Sequence, residues 1–235
     1  MEETTLYWFV ADRYKRGFPD ISDALEEPNG LLAAGGDLSP ERLLEAYQHG
    51  IFPWYDDQQP ILWWSPNPRA ILYPDRIHIS RSLKRTLKKN TFKITWDSAF
   101  NEVITECSSP RRDQRGTWLT GEMIEAYTNL HLMGYAHSIE CWFDSELVGG
   151  LYGLAIGRVF FGESMFSRIT DASKVCLVKL CSLLQQWDYE LIDCQVDSDH
   201  LRRMGAELIP RALFKSILER ACTQDPSDQA WKITE

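Results

Sequence analysis

The sequence predicts an α+β protein with a small N-terminal domain, residues 1–68, and a larger domain, residues 69–235, built on a central mostly antiparallel sheet. Three observations carry this. Residues 137–143 and 146–156 read as strands joined at Asp144-Ser145, and Gly157-Arg158 is a two-residue turn into Val159-Phe-Phe-Gly. Residues 172–187 form a strongly amphipathic helical stretch, followed by a short apolar strand at 191–196. The proline-punctuated run Ser65-Pro66-Asn67-Pro68 closes the first domain.

The remaining elements follow from local signals. Ser39-Pro40-Glu41 opens a helix: Ser39 can accept from an early N–H, Pro40 suits the first helical position, and Glu41 suits the positive end. The helix runs through Leu43, Leu44, Ala46 and Tyr47 and stops at Gly50. Residues 80–90 (SRSLKRTLKKN) form a short helix with Arg81, Lys84, Arg85 and Lys88 on one face and Leu83 and Leu87 on the other. Residues 121–133 form another, with Met123, Ile124, Tyr127 and Leu130 near one face. A last short helix is expected at 200–205. From Thr223 onward the chain looks loosely held, with Trp231 as its one anchor.

At 235 residues the chain can bury a full core. The acidic start MEETTLYWFV lacks the basic and apolar regions of a signal peptide, and the longest apolar stretch, 147–162, is broken by Arg158 and rich in glycine. Six scattered cysteines without a Cys-x-x-Cys pair point to reduced thiols in the cytoplasm, and the five histidines do not cluster with them as metal ligands. The net charge of −9 excludes a protein that coats nucleic acid indiscriminately. Its distribution is uneven. Seven of the 25 basic residues lie between Arg76 and Lys93, a stretch with no acid, and the other 18 face 34 acidic residues. One positive island on a negative body grips a polyanion in a single orientation.

Several ordered segments carry the chemistry. Residues 29–67 combine Gly-Gly-Asp-Leu-Ser-Pro, Gly-Ile-Phe-Pro-Trp and Trp-Trp-Ser-Pro. Gly162-Glu163-Ser164-Met165-Phe166-Ser167 is followed by Ala172-Ser173-Lys174. Glu163 ends an apolar strand, where a charge needs a partner. It reads either as a holder of a cationic substrate group or as half of an ion pair with Lys174 or an arginine. In Leu191-Ile192-Asp193-Cys194-Gln195-Val196, alternation places Asp193 and Gln195 on one face. They are either a structural pair or a pair that orients reacting groups. Arg115-Gly116-Thr117-Trp118-Leu119 and Gly149-Gly150-Leu151-Tyr152-Gly153 complete the set.

In order and combination these segments resemble the leucyl/phenylalanyl-tRNA–protein transferase family, from about Phe18-Pro19 to Pro210-Arg211. The resemblance implies a C-terminal domain of the acetyltransferase-like (GNAT-related) kind. It implies transfer of Leu, Phe or Met from aminoacyl-tRNA to proteins with N-terminal Arg or Lys, without ATP, metal or other cofactor and without a membrane partner. The product's new apolar N-terminus would mark it for degradation. Gln195 would hold or polarise the reacting groups, and Asp193 would orient Gln195 or the amine. Glu163 would bind the acceptor's cationic side chain or an amino group. Tyr47, Trp54, Trp118 and Tyr127 would offer flat surfaces to the terminal adenosine. Leu151 and Phe160 would wall an apolar pocket, and Arg81, Lys84, Arg85 and Lys88 would grip the tRNA backbone.

Two enzymatic rivals fit less well. A coenzyme A-dependent acetyltransferase wants an (Arg/Gln)-x-x-Gly-x-(Gly/Ala) loop, and Arg202-Arg203-Met204-Gly205-Ala206-Glu207 fails at its last position. A ligase that loads cell-wall precursors from tRNA shares the donor but not these motifs. A non-catalytic tRNA- or peptide-binding module leaves Glu163, Asp193 and Gln195 without a task.

Overall fold

A computed structural model describes residues 6–9, 17–109 and 119–232. The N-terminal part holds β1 (Tyr7–Phe9), β2 (Leu31–Gly35), α1 (Pro40–Gln48), β3 (Phe52–Pro53) and β4 (Leu62–Trp64), its strands ordered β1-β2-β4-β3. Helix α1 begins where the sequence predicts, but the Ser39 hydroxyl makes no capping bond. Asp37 does the work instead: it accepts the Ser39 N–H at 2.9 Å and the Arg42 Nε–H at 3.3 Å, tying the loop to the first turn. Gly50, at φ +77°, ends the helix as expected, and a Cβ there would meet Phe214.

The larger part runs β5 (Arg69–Leu72), α2 (Arg81–Lys89), β6 (Lys93–Trp96), α3 (Phe100–Ser108), α4 (Gly121–Leu132), β7 (Ala136–Phe143), β8 (Glu146–Ile156), β9 (Val159–Ser167), α5 (Ala172–Gln186), β10 (Leu191–Gln195), α6 (Asp199–Arg203), β11 (Glu207–Ile209) and α7 (Arg211–Ala221). Its seven strands are ordered β11-β5-β10-β9-β8-β7-β6. Both predicted hairpins form. Asp144 and Ser145 take left-handed φ values of 48° and 65°, the geometry that suits the twist of β7 and β8. Only β9 and β10 run parallel in this sheet, because α5 carries the chain back across it between them.

The two faces of the sheet bury different layers. On one, α2 and α5 cover Ile139, Leu151, Phe160 and Ile192 with Leu83, Leu177 and Leu180. On the other, α1, α3, α4, α7 and the small sheet cover Ile71, Tyr152 and Phe161 with Tyr47, Val103, Tyr127, Phe214 and Trp63. Helix α7, which the sequence reading leaves unassigned, buries Phe214, Leu218 and Ala221.

The described tail is docked rather than loose. Trp231 stacks on His137 at 4.0 Å between ring centres and donates its indole N–H to the Tyr189 hydroxyl at 2.9 Å. Ser227 adds a backbone bond to Trp187. The expectation of a loose end overlooks how much aromatic surface one Trp brings to a cluster. Among the described residues no helix is long and apolar enough to cross a membrane, and none of the six cysteines is in a disulfide.

Candidate active site

The site is built where two parallel strands part. β9 and β10 pair at only three positions: Leu191 opposite Val159, Ile192 opposite Phe160 and Asp193 opposite Phe161. Beyond these, β9 stays with β8, while β10 follows β5 through a register shift and ends at Gln195. A second irregularity faces the first. Gly162 pairs with Gly153 and Ser164 with Tyr152, so Glu163 is the extra residue of a bulge. Bulges re-aim side chains, and these two aim Glu163 and Gln195 at each other across the gap. The Gln195 Nε2 donates to Glu163 Oε1 at 2.7 Å.

Gln195 holds a left-handed φ of 62°, which costs a non-glycine residue free energy and needs support. Asp193 supplies it: its Oδ1 accepts the Gln195 backbone N–H at 2.9 Å. Asp193 is itself clamped by Arg69, whose Nε and Nη2 donate to its two oxygens at 2.8 and 2.7 Å. Both side chains are wholly buried. The guanidinium lies between the Phe52 and Phe214 rings, at 4.8 and 4.7 Å from their centres. Asp193 and Gln195 are therefore tied together across a bulge, and Arg69 is a site residue that the sequence reading lacks.

Among the described residues Glu163 has no paired cation. Lys174, one expected partner, pairs with Asp171 at 2.8 Å, and among the described residues no lysine or arginine forms an ion pair with Glu163. Its neighbours are neutral donors: Tyr47 Oη at 2.7 Å from Oε1, Tyr127 Oη at 2.9 Å from Oε2, and Gln195. Withdrawal from water pushes the carboxyl up to about 7, against the pull of the two phenols and the amide. Lys174 is thus not its partner, and no arginine takes that place among the described residues.

Tyr47 and Tyr127 require a second correction. Both rings are fully buried, packed on Phe161 and Tyr152, so neither can stack a base. What they present to the site is a hydroxyl. Trp54 differs: it is 45% exposed, leans on Trp64 at 5.8 Å and stands at the pocket rim. Trp118 lies outside the described residues.

A pocket of about 470 Å³ opens at the parted strands. Leu151, Phe160, Leu177, Leu180 and Ile192 form its apolar wall, Glu163 and Gln195 stand among its polar residues with Tyr152, Ser164, Asp193 and Ser198, and Trp54, Val196 and His200 form part of its rim. Gly153 makes room for the Phe160 ring of that wall, which a Cβ would meet at 2.7 Å, and Gly149 lets the start of α5 approach, because a Cβ there would collide with Ala172. Helix α2 rests on α5, which supplies Leu177 and Leu180. Ser80 caps α2 at the Leu83 N–H, and Arg81, Lys84, Arg85 and Lys88 all point to solvent.

Comparison with known proteins follows the same outline. A model described as leucyl/phenylalanyl-tRNA protein transferase matches residues 71–219, and one for the N-terminal domain of the same protein matches 36–67. The leucyl/phenylalanyl-tRNA–protein transferase of Nitrosomonas europaea is 58% identical over 91% of this chain and 91% of its own. That of Stutzerimonas stutzeri is 55% identical over 97% and 99%. Among solved structures, a GCN5-related N-acetyltransferase from Kribbella flavida aligns with a TM-score of 0.38 at 12% identity, covering 73% of this chain and 61% of that one, too slight a likeness to carry an argument. With relatives this similar along almost its whole length, the chain belongs to the leucyl/phenylalanyl-tRNA–protein transferase family and is a transferase.

Proposed function

We propose that this enzyme moves leucine, phenylalanine or methionine from aminoacyl-tRNA onto the α-amino group of proteins that begin with Arg or Lys. It would act in the cytoplasm and without ATP, and the new apolar N-terminus would mark the product for degradation. The observation that carries the donor half is the pocket itself: an apolar wall of Leu151, Phe160, Leu177, Leu180 and Ile192 that meets the polar groups of Glu163 and Gln195. Such a wall accepts all three side chains and separates them poorly, since one methylene is worth ~1–3 kcal/mol. The acceptor rule rests on the family resemblance. The sheet change between Trp64 and Arg69 supports dividing the chain into domains at residue 68.

The chemistry asks little of the protein beyond placement. An aminoacyl ester is already activated, and an α-amino group with a pKa of about 7.7–8.0 is partly neutral at pH 7. Alignment of amine and ester can supply ~7–11 kcal/mol. Gln195, fixed by its backbone bond to Asp193, is the orienting group at the reacting centre. Asp193 acts from behind it, because both its oxygens are committed to Arg69. The exposed face of Arg81, Lys84, Arg85 and Lys88 would hold tRNA phosphates.

The test is transfer of labelled leucine from Leu-tRNA to two peptides, one beginning with Arg and one with Met. Transfer to the Arg peptide alone, without ATP or coenzyme A, is the expected result. Tight tRNA binding without transfer would instead leave a binding module. Neutralising the four basic residues should weaken tRNA binding and flatten its salt dependence, yet spare a minimal aminoacyl-adenosine donor.

A further inference from the structure

The hydroxyls around Glu163 cannot be satisfied by the protons that two phenols own. Tyr47 Oη lies 2.7 Å from Glu163 Oε1, Tyr127 Oη lies 2.9 Å from Oε2, and the two phenol oxygens lie 2.5 Å from each other. That is a closed circle of three short oxygen–oxygen contacts. Each phenol has one proton to give, so a charged carboxylate leaves one contact with none. Two oxygens at hydrogen-bond distance with no proton between them set lone pair against lone pair. A third proton, on Glu163 Oε2, completes the circle: Glu163 donates to Tyr127, Tyr127 to Tyr47, and Tyr47 to Oε1. The Gln195 amide then donates to Oε1 as well, at 2.7 Å.

We propose that Glu163, in a ring with Tyr47 and Tyr127, is the group that carries protons between the attacking amine and the leaving ribose oxygen. This deepens the transferase reading and rests on it. The amine nitrogen attacks the ester carbon, a C–N bond forms, and the carbonyl electron pair moves to oxygen. As the intermediate collapses, the C–O bond to ribose breaks and its electron pair stays on the ribose oxygen, which takes the Glu163 proton. The nitrogen sheds one proton, and the emptied carboxylate receives it. The ring ends with the three protons it began with, so no outside acid or base is consumed. Tyr47 and Tyr127 are positioning residues, both fully buried, whose hydroxyls hold the two carboxyl oxygens in place.

The surroundings suit a carboxyl that moves between two forms near neutrality. Glu163 faces the phenols of Tyr47 on α1 and Tyr127 on α4, that of Tyr152 on β8, and on β10 the Gln195 amide and the Asp193 carboxylate with Arg69 behind it. Asp193 opposes a charge on Glu163, and withdrawal from water opposes it more strongly, while the three donors favour it. The Tyr152 hydroxyl, buried at the pocket wall, has no hydrogen-bond partner among the described residues.

Glu163→Gln tests this sharply, because glutamine is close in shape to a protonated glutamate and can donate to Tyr127 and accept from Tyr47, but cannot give up and regain a proton. The expected result is a kcat lower by roughly 10²-fold or more with KM for Leu-tRNA nearly unchanged, and a thermal melt like the wild type's. The alkaline limb of the kcat–pH profile should vanish. The loss should shrink when the donor is a leucyl ester of a more acidic alcohol, whose oxygen leaves without a proton. Difference infrared spectra of the resting wild type should show a protonated carboxyl band that disappears as pH rises through about 7 and is missing in the variant. A wild type that transfers while Glu163→Gln keeps its full kcat overturns this proposal alone. A wild type that transfers nothing overturns the transferase reading and the proposal with it.

Discussion

Asp193 and Glu163 stand on neighbouring strands at the point where these part, and the protein treats the two acids in opposite ways. Asp193 is sealed in, with both oxygens held by a guanidinium that is itself gripped between two phenylalanines. Glu163 borders the pocket and, among the described residues, is offered neutral hydroxyls and an amide. A carboxylate given a cation keeps its charge and holds geometry. One given neutral donors and little water sits near pH 7 between its two forms, and can exchange a proton. Side by side, they divide the work into a fixed brace and a movable proton.

The largest consequence should follow from breaking the brace. Arg69→Met keeps the bulk between Phe52 and Phe214 but leaves Asp193 buried without its cation. Loss of one partner of a buried pair costs ~3–5 kcal/mol, so urea unfolding should show a loss of that order. The paired change Arg69→Met with Asp193→Leu should recover much of the stability and none of the transfer activity, because the Gln195 backbone would lose its acceptor. Equal stability of the single and double variants would mean that Asp193 does not depend on Arg69 for its charge.

The second consequence is the pH dependence that Glu163 contributes. Its carboxyl in the folded protein is raised to about 7 from an ordinary 4.5, so the folded state holds the proton more tightly than the unfolded chain. Its contribution is fully present below about pH 4.5 and is lost as pH rises through about 7, at most ~3 kcal/mol in all. Glu163→Gln removes that slope. Urea midpoints of both proteins across this range should therefore diverge: relative to the variant, the wild type gains stability toward acid and loses it toward neutral pH. Parallel curves would place the Glu163 carboxyl no differently in the folded and unfolded states.

Much of the frame behind this contrast is legible in the sequence, for a local reason. The hairpins at Asp144-Ser145 and Gly157-Arg158 and the helix Ala172–Gln186 announce themselves through turn residues and periodicity within a few positions. The acids are conspicuous too, because a charge in an apolar strand must be paired. What holds them is not local. Arg69 opens the apolar run Arg69–Leu72 and gives the same signal, but its partner lies 124 positions away and nothing nearby names it. Tyr47 and Tyr127 fall on the buried faces of their helices, yet periodicity tells where a ring goes, not where its hydroxyl points. The two bulges that turn Glu163 and Gln195 toward each other depend on register against β8 and β5, which no single strand encodes.

The smallest and most diagnostic change is Tyr47→Phe. It deletes one hydroxyl from a fully buried ring, and the expected cost is about 1 kcal/mol, the usual worth of a hydrogen bond. Tyr47 donates to the charged carboxylate but also closes the ring that calls for a third proton, so its loss should move the carboxyl's midpoint away from about 7, upward where the lost donor dominates and downward where the ring does, as read by the infrared band or by the divergence of the urea curves. The same change at Asp193's side of the site has no counterpart, because a charge held by Arg69 does not answer to a missing phenol. A midpoint that stays put after Tyr47→Phe would mean that withdrawal from water alone sets the Glu163 proton, and that the short Tyr47–Tyr127 contact belongs to packing rather than to the ring.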